Sequence, residues 1–503
     1  MASLSSPFVA CDNLSRRLES VKLNREKCAL LLLCLNRVRN FYCPNVGDSA
    51  KREFQEAVER AQHLFDESSD RKWLLKAVEL WECSEHFVEL FVDLFWSAQI
   101  MAFIPEEVHE FTREKEKLLN DRAVLLQTAN HIDKSTLSNR IKRLLNSGSP
   151  EERQLAHLLK DRFENQSSWY PPILTSFYFY FNSKFGSKTI SSSKRGQDAV
   201  VLSFKWVYGK DFAVKVRHPD AGCVKSFKHE FDVLDNHRSP YIVGVVGYWE
   251  LEAGLARWYP WHHLVTLCPF LLMEAMDWNL EELITRYRES RGGEGFSALE
   301  TIKLMLPISR ALRFLHAKDV AHRDVKLKNI MCSNIASGQL DNFIVKLIDF
   351  GEAMDISEFS FGHKHGRAGT NGFMGPEMFT PEGSTDLKRA DVFSFAMVFV
   401  ELLMWRWTCS EEAGVQPGKG VQDWLNLGKR PTLPDDLPDY VGFIVKSCWS
   451  VDPNMRPTFD DICLMLQNAK LLILDPNFGE GEDPFVYWDA TFVKRDRTGM
   501  QHS

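Results

Sequence analysis

His322-Arg323-Asp324-Val325-Lys326-Leu327-Lys328-Asn329, followed by Asp349-Phe350-Gly351, is the stretch on which the reading of this chain turns. The first string sets a carboxylate, an amine and a carboxamide at Asp324, Lys326 and Asn329; the second adds a carboxylate at Asp349. Either string alone is weak, because three-residue strings arise by chance and an isolated Asp-Phe-Gly is more often a turn. Both together, in this order and with Asn329 five residues after Asp324, are a strong signal. Outward from this centre the texture is mixed. From Leu280 to about Leu472 the pattern is mainly helical, whereas upstream Val200 to Val207 and Phe212 to Val216 read as a β-hairpin joined at Tyr208-Gly209-Lys210-Asp211.

Further upstream, near Trp169-Tyr170-Pro171-Pro172, β-branched and aromatic runs give way to a helical period that extends back to the start. Leu14, Leu18, Val21, Cys28, Leu32 and Leu35 fall on one face of a first helix that reads from Leu14 to Arg39, with Arg25 as a polar interruption. Phe54, Val58, Ala61 and Leu64 form a second stripe, and Trp73 to Phe103 is a third, very apolar region. Val108 to Leu126 reads as a fourth helix, with Ser135 to Leu145 and Ser149 to Phe163 as short connecting helices. The last of these opens Ser-Pro-Glu-Glu, the residues of a capped start. The expected division is a helical bundle at 1–130, connecting helices at 131–170, a mixed α and β domain at 171–475 and a tail at 476–503.

Bulk composition excludes several classes. A chain of 503 residues with 44% hydrophobic, 26% charged and 12% aromatic residues has the make-up of a folded protein of roughly two to four domains. Its formal net charge of -7 offers no general attraction to a phosphate backbone, so no nucleic-acid partner is expected. The eleven cysteines contain no C-x-x-C pair and read as reduced thiols serving as small hydrophobes. Met1-Ala2-Ser3 has neither a basic leader nor the glycine that myristoylation needs, and Ala29 to Leu35 is too short to span a bilayer. Phe87 to Ile104 is long enough but is interrupted by Glu89 and Asp93. A cytoplasmic protein without a transmembrane segment is expected.

Over about residues 180 to 470 the two opening strings and their surroundings resemble a protein kinase. Phosphoryl transfer needs a carboxylate to orient and deprotonate the attacking hydroxyl, ligands for magnesium and a cation on the phosphates. The resemblance implies ATP and Mg2+ as cofactors and a protein as substrate. It gives Asp324 the base position, Lys326 a place beside the transferred phosphate, and Asn329 and Asp349 the magnesium positions. Phe212-Ala213-Val214-Lys215 matches the strand that carries the nucleotide-binding lysine, and Glu230 stands in the helix that supplies its partner. Met273 takes the gatekeeper position, Ala213 is a further nucleotide-binding position, and backbone groups of Glu274 and Met276 face adenine. Gly375-Pro376-Glu377 stands where Ala-Pro-Glu is usual, and Glu377 is expected to pair with a buried Arg456. Cys448-Trp449 and Arg456-Pro457-Thr458-Phe459 are most similar to tyrosine-kinase-like serine/threonine kinases, and Lys326 and Gly369-Thr370 are the serine/threonine-like features. The fold class is therefore α+β, a bilobal kinase fold preceded by an all-α bundle.

One stretch departs from the family pattern. The phosphate-covering loop aligns as Ser191-Ser192-Ser193-Lys194-Arg195-Gly196, so Ser191 and Ser193 replace two glycines ahead of Gly196. Glycine there lets backbone N–H groups approach phosphate, and each serine restricts that approach. A nucleotide-binding pseudokinase switch whose N-terminal bundle is the effector, with a membrane as a candidate place of action, is therefore the alternative to an active enzyme. The N-terminal helices, with Asn24 to Cys28 and Arg37-Val38, resemble the four-helix bundle and brace of mixed-lineage-kinase-like proteins, which implies self-association. The cationic first helix reads as a solvated bundle face, with docking on anionic lipid as its alternative. Arg323, before the base, points to control by phosphate at Ser357 or Ser360.

Overall fold

The computed structural model describes residues 13–39, 48–69, 73–80, 84–101, 105–163, 193–195, 199–205, 211–217, 223–249, 270–290, 296–334, 343–356, 368–379, 386–404 and 420–474. Ser191, Gly196, Ser357, Ser360 and the tail at 476–503 lie outside the described residues. Two compact units result, Met1–Ala275 and Met276–Ser503, each taken by itself below.

After short helical turns that end at Ser20, the described residues of the first unit include helices α1 (Arg25–Arg39), α2 (Asp48–Ser69), α3 (Trp73–Leu80), α4 (Ser84–Met101), α5 (Pro105–Ser147) and α6 (Pro150–Phe163). The first helix does not run unbroken from Leu14, because the chain turns at Val21 to Asn24 and α1 begins only at Arg25. Asn24 sits in the left-handed region at φ 53°, and the amides of Lys22 and Leu23 donate to the Ser68 carbonyl instead of to a helix. Asp133, far along the chain in α5, caps the new start by accepting from the amides of Glu26 at 2.9 Å and Lys27 at 3.2 Å. Lys27 is itself buried and donates to Asn24 Oδ1 at 2.9 Å, so one of the charges of this helix lies inside rather than on a solvated face.

Nor is there a break between Leu126 and Ser135. Pro105–Ser147 is a single helix of 43 residues, since Gln127 to Lys134 contains no glycine or proline to stop it. The start of α6 is capped as its sequence implies: Glu152 N donates to Ser149 Oγ and Ser149 N to Glu152 Oε2. The thiols of Cys28 and Cys34 are buried and pushed up to about 12, which suits their reading as small hydrophobes. Among the described residues no helix is long and apolar enough to cross a membrane.

The same unit continues into a five-stranded antiparallel sheet of order β1-β2-β3-β5-β4. Its strands are β1 (Ser193–Arg195), β2 (Ala199–Lys205), β3 (Asp211–Arg217), β4 (Val245–Trp249) and β5 (Phe270–Glu274), and α7 (Cys223–Asn236) lies between β3 and β4 in sequence. The hairpin read from sequence is present, with Lys205 opposite Asp211 and Ala199 opposite Arg217. Strand alternation then divides the sheet. Phe212, Val214, Phe270 and Leu272 join Trp73, Leu74 and Val78 of α3, Leu137 and Ile141 of α5, and Leu155 and Leu159 of α6 in one continuous apolar core. Ala213, Lys215 and Met273 fall on the opposite face. The helical region thus covers the side of the sheet that does not carry the site.

The second unit holds a three-stranded sheet of β6 (Trp278–Asn279), β8 (Ile330–Asn334) and β9 (Phe343–Leu347), in the order β6-β8-β9, and a two-stranded pair of β7 (Val320–Ala321) with β10 (Met354–Asp355). Its helices are α8 (Leu280–Ser290), α9 (Ala298–His316), α10 (Leu387–Met404), α11 (Val421–Asn426), α12 (Asp439–Cys448) and α13 (Phe459–Leu474). Helix α10 is buried on every face from Ala390 to Leu403, as the central helix of a core must be. Arg456 carries the expected ion pair: Nη1 and Nη2 donate to the two oxygens of Glu377 at 2.6 and 2.7 Å. Its Nε reaches the Ser450 carbonyl and its guanidinium stacks on Phe393, so its donors are satisfied in a buried place. Leu159, fully buried in the shared core, sets a test of the first unit. Leu159→Ala is expected to lower its stability by about 2–5 kcal/mol in chemical denaturation.

Candidate active site

Two clusters of site residues stand out, one in each unit. In the first, Lys215 is held in place by strand pairing with Val201 on one side and Leu271 on the other. Its Nζ donates to both oxygens of Glu230 on α7, at 2.8 and 2.9 Å, and lies over the Phe227 ring. Glu230 is buried, so a close, two-pronged contact with an ammonium offsets the cost of its desolvation. Ala213 is paired directly opposite Met273, which brings the small residue and the gatekeeper candidate together on the Lys215 face. Glu274 is committed to Gly244 twice over: its amide donates to the Gly244 carbonyl at 2.9 Å, and its carboxylate accepts from the Gly244 amide at 2.6 Å.

In the second unit the loop between β7 and β8 gathers the charged and polar groups. Asp324 Oδ2 accepts from Lys326 Nζ at 2.7 Å and from Asn329 Nδ2 at 2.9 Å, while Oδ1 accepts from Thr370 Oγ1 at 2.7 Å. Lys326 Nζ also reaches Thr370 Oγ1 at 2.9 Å, closing a three-way contact. Asn329 turns its nitrogen to Asp324, donating also to the Asp324 carbonyl, which leaves its side-chain oxygen as the group able to serve a cation. Asp349 follows β9 in the left-handed region at φ 64°, a conformation that costs a non-glycine residue energy and clusters at functional sites. Phe350 behind it is fully buried and meets His322 edge-on at 4.9 Å. Met276, which opens this unit, lies 3.8 Å from Ser333 Oγ, and Ser333 also accepts from the Asp277 amide.

The loop holds its shape through a residue whose role the sequence did not reveal. Asp391, fully buried in α10, accepts from the amides of His322 and Arg323, each at 2.8 Å, and from His316 Nε2 at 2.9 Å. Arg323 is left-handed at φ 68°, and this carboxylate holds its amide there. His322 accepts at Nδ1 from the Asp324 amide and donates from Nε2 to the Ile348 carbonyl, which fixes the ring tautomer and ties the loop to the segment before Asp349. The Arg323 guanidinium points to Met354 Sδ at 3.7 Å; burial pulls its pKa down, against Glu352 and Asp391. Gln422 of α11 braces the segment after Thr370 by accepting from the Gly372 amide and donating to the Met374 carbonyl. Nothing in the string Asp391-Val392-Phe393-Ser394 marks Asp391 as an anchor, because that use depends on tertiary placement.

Of the sequence candidates, Asp324, Lys326 and Asn329 are brought together, as are Lys215 with Glu230 and Ala213 with Met273. Ser193 lies on β1. Among the described residues no group of three or more His, Cys, Asp or Glu side chains stands ready for a metal. Magnesium needs no such group, because it keeps several waters and takes one or two protein carboxylates together with phosphate oxygens. Asp349 and the Asn329 oxygen are such hard donors.

A model of the protein kinase domain matches residues 195–466, more than half of the chain. RGS domain-containing serine/threonine-protein kinase A of Dictyostelium discoideum is 25% identical over 264 residues, 52% of this chain and 20% of that protein. Probable serine/threonine-protein kinase gdt4 of the same organism is 35% identical over 177 residues, 34% of this chain and 10% of that protein. Dual specificity protein kinase shkE, also from Dictyostelium discoideum, is 26% identical over 292 residues, 57% of this chain and 36% of that protein. The chain therefore spans only a minor part of these relatives. The cryo-EM structure of the AtMLKL3 tetramer matches 94% of this chain and 89% of that one, with TM-score 0.64 and 19% identity, a likeness of fold that takes in the helical region.

Gly369 gives the cluster a direct test. It adopts φ 120°, and a Cβ there would lie 2.9 Å from the Arg323 carbonyl and from Met374 Cγ. Gly369→Ala is expected to cost about 1–3 kcal/mol in thermal or chemical unfolding, the usual scale of a strained backbone position.

Proposed function

Because the chain belongs to the protein kinase family, we propose that it is an active enzyme which transfers the γ-phosphate of ATP to serine or threonine hydroxyls of a protein substrate. The observation that carries this reading is the Asp324 cluster. A carboxylate with Lys326, Asn329 and Thr370 on its two oxygens is oriented to accept the proton of an attacking hydroxyl. Lys326, shared between Asp324 and Thr370, stands beside the reacting group and favours the developing negative charge. Lys215, kept extended by Glu230, takes the nucleotide phosphates. Asn329 and Asp349 hold magnesium, which supplies neutralisation of charge on the phosphates. Ala213 and Met273 flank the adenine, with backbone groups of Glu274 and Met276 completing its edge. The hydroxyl preference rests on Lys326 and Thr370, the pairing that the sequence likens to serine/threonine kinases. Self-association through the helical region and a cytoplasmic location belong to the same reading; the first is supported by the tetrameric state of the AtMLKL3 structure.

A second reading, a nucleotide-binding switch without catalysis, draws on Ser191 and Ser193 in the phosphate loop and on the core that the helical region shares with the sheet. One experiment separates the two. Incubated with γ-labelled ATP, Mg2+ and a mixture of protein substrates, the full chain is expected to transfer label to serine and threonine. Asp324→Asn is expected to lose transfer by a factor of about 10²–10⁴, the usual worth of a general base, while it still binds nucleotide. Nucleotide binding without transfer in the unaltered chain would select the switch. Undiminished transfer by Asp324→Asn would remove the assignment of the base.

A further inference from the structure

Arg238, in the turn between α7 and β4, is the point where three elements of the first unit meet. Its Nη1 donates to the Val78 and Glu79 carbonyls at 3.1 and 2.6 Å, and these are the last but two and last but one residues of α3. Its Nη2 donates to the Val245 carbonyl at 3.1 Å, at the start of β4, and to the Asp235 carboxylate, near the end of α7; its Nε reaches the Asp235 carbonyl. The last carbonyls of a helix lack partners of their own and carry the negative end of its dipole, so a guanidinium is well matched to them. One side chain thus fastens a helix of the N-terminal region both to the helix that carries Glu230 and to the strand paired with β5.

The second leg of the connection runs through Gly244. This residue accepts from the Glu274 amide and donates to the Glu274 carboxylate, and a Cβ placed on it would sit 3.6 Å from Cβ of Glu79 in α3. Beyond it, Val245 is paired with Met273. Lys76 lies two residues before Val78 in α3 and binds Glu67 of α2 at 2.8 Å. Burial pulls the Lys76 ammonium down, but Glu67, Glu79 and Glu274 together outweigh this and raise its pKa, so it also senses the charge of the Glu274 side chain.

We propose that Arg238 is a positioning residue for nucleotide binding: by clamping the end of α3 onto α7 and β4, it makes the helical region part of the scaffold that sets Glu230, Met273 and Glu274. The proposal rests on the nucleotide-site reading given above, and goes beyond it in assigning α3 a share in nucleotide affinity. By linkage the effect is reciprocal, so nucleotide must in turn tighten the hold on α3.

Calorimetry with Mg-ATP and hydrogen exchange, both on the full chain, test it. Arg238→Met is expected to raise the Kd for Mg-ATP by about tenfold, within the usual range of coupling between two sites, and Arg238→Lys to restore part of the loss. Saturating Mg-ATP is expected to slow exchange over Trp73–Leu80 in the unaltered chain and not in Arg238→Met. Without nucleotide, the same variant is expected to speed exchange over α7 and β4. If Arg238→Met does not fold, Arg238→Lys alone is read in the same way, with a smaller shift of the same sign. An unchanged Kd in a folded variant, or unchanged exchange in α3 on adding Mg-ATP, would overturn the proposal. If the unaltered chain binds no nucleotide, the site reading fails, and exchange over α7 and β4 alone then decides whether Arg238 positions them.

Discussion

The hold of one buried carboxylate, Asp391, on two successive backbone amides is the constraint on which the second cluster depends. A charge this deep in α10 would be costly alone, and it is tolerated because His322 N, Arg323 N and His316 all donate to it. In return the carboxylate keeps Arg323 in a left-handed conformation that an unconstrained arginine rarely adopts. Asp324 follows directly, so its direction is set by that pair of bonds. Lys326, Asn329 and Thr370 then fix the carboxylate itself. The chain of causes runs from a core helix, through a strained backbone, to a side chain aimed for proton transfer.

In the first unit the organising fact is strand alternation. A sheet with one face on Lys215, Ala213 and Met273 has to do something with Phe212, Val214, Phe270 and Leu272 on the other. Here those residues are buried against α3, α5 and α6, so the N-terminal helices and the sheet share a core rather than being joined by a linker alone. That burial explains why α3, only eight residues long, persists as a helix: packing supplies what its length cannot. It also gives the helical region a physical route to the site residues on the sheet.

Much of this was legible in the sequence because the informative residues lie close together in the chain. Asp324, Lys326 and Asn329 fall within six positions of one another, and the β2–β3 hairpin is local, so short-range spacing was enough to read them. The pairing of Glu377 with Arg456 spans 79 positions and was reached through the family resemblance, which two motifs made strong. What could not be read was set by distant partners. The start of α1 moved to Arg25 because Asp133, 107 positions from Glu26, caps it there. Two expected helices proved to be one because nothing between Leu126 and Ser135 stops a helix, and an apolar period that fades does not end one. Arg238 and Asp391 bear ordinary residue types in ordinary strings, and only the fold shows which amides and carbonyls they serve.

Hydrogen exchange resolved at the amides of His322 and Arg323, in the intact chain and without any variant, measures the central constraint most directly. If Asp391 holds both amides, they exchange as slowly as the buried amides of α10, although they belong to a loop. Exchange as fast as that of an exposed turn would contradict the account, because Asp324 would then have no fixed backbone to aim it.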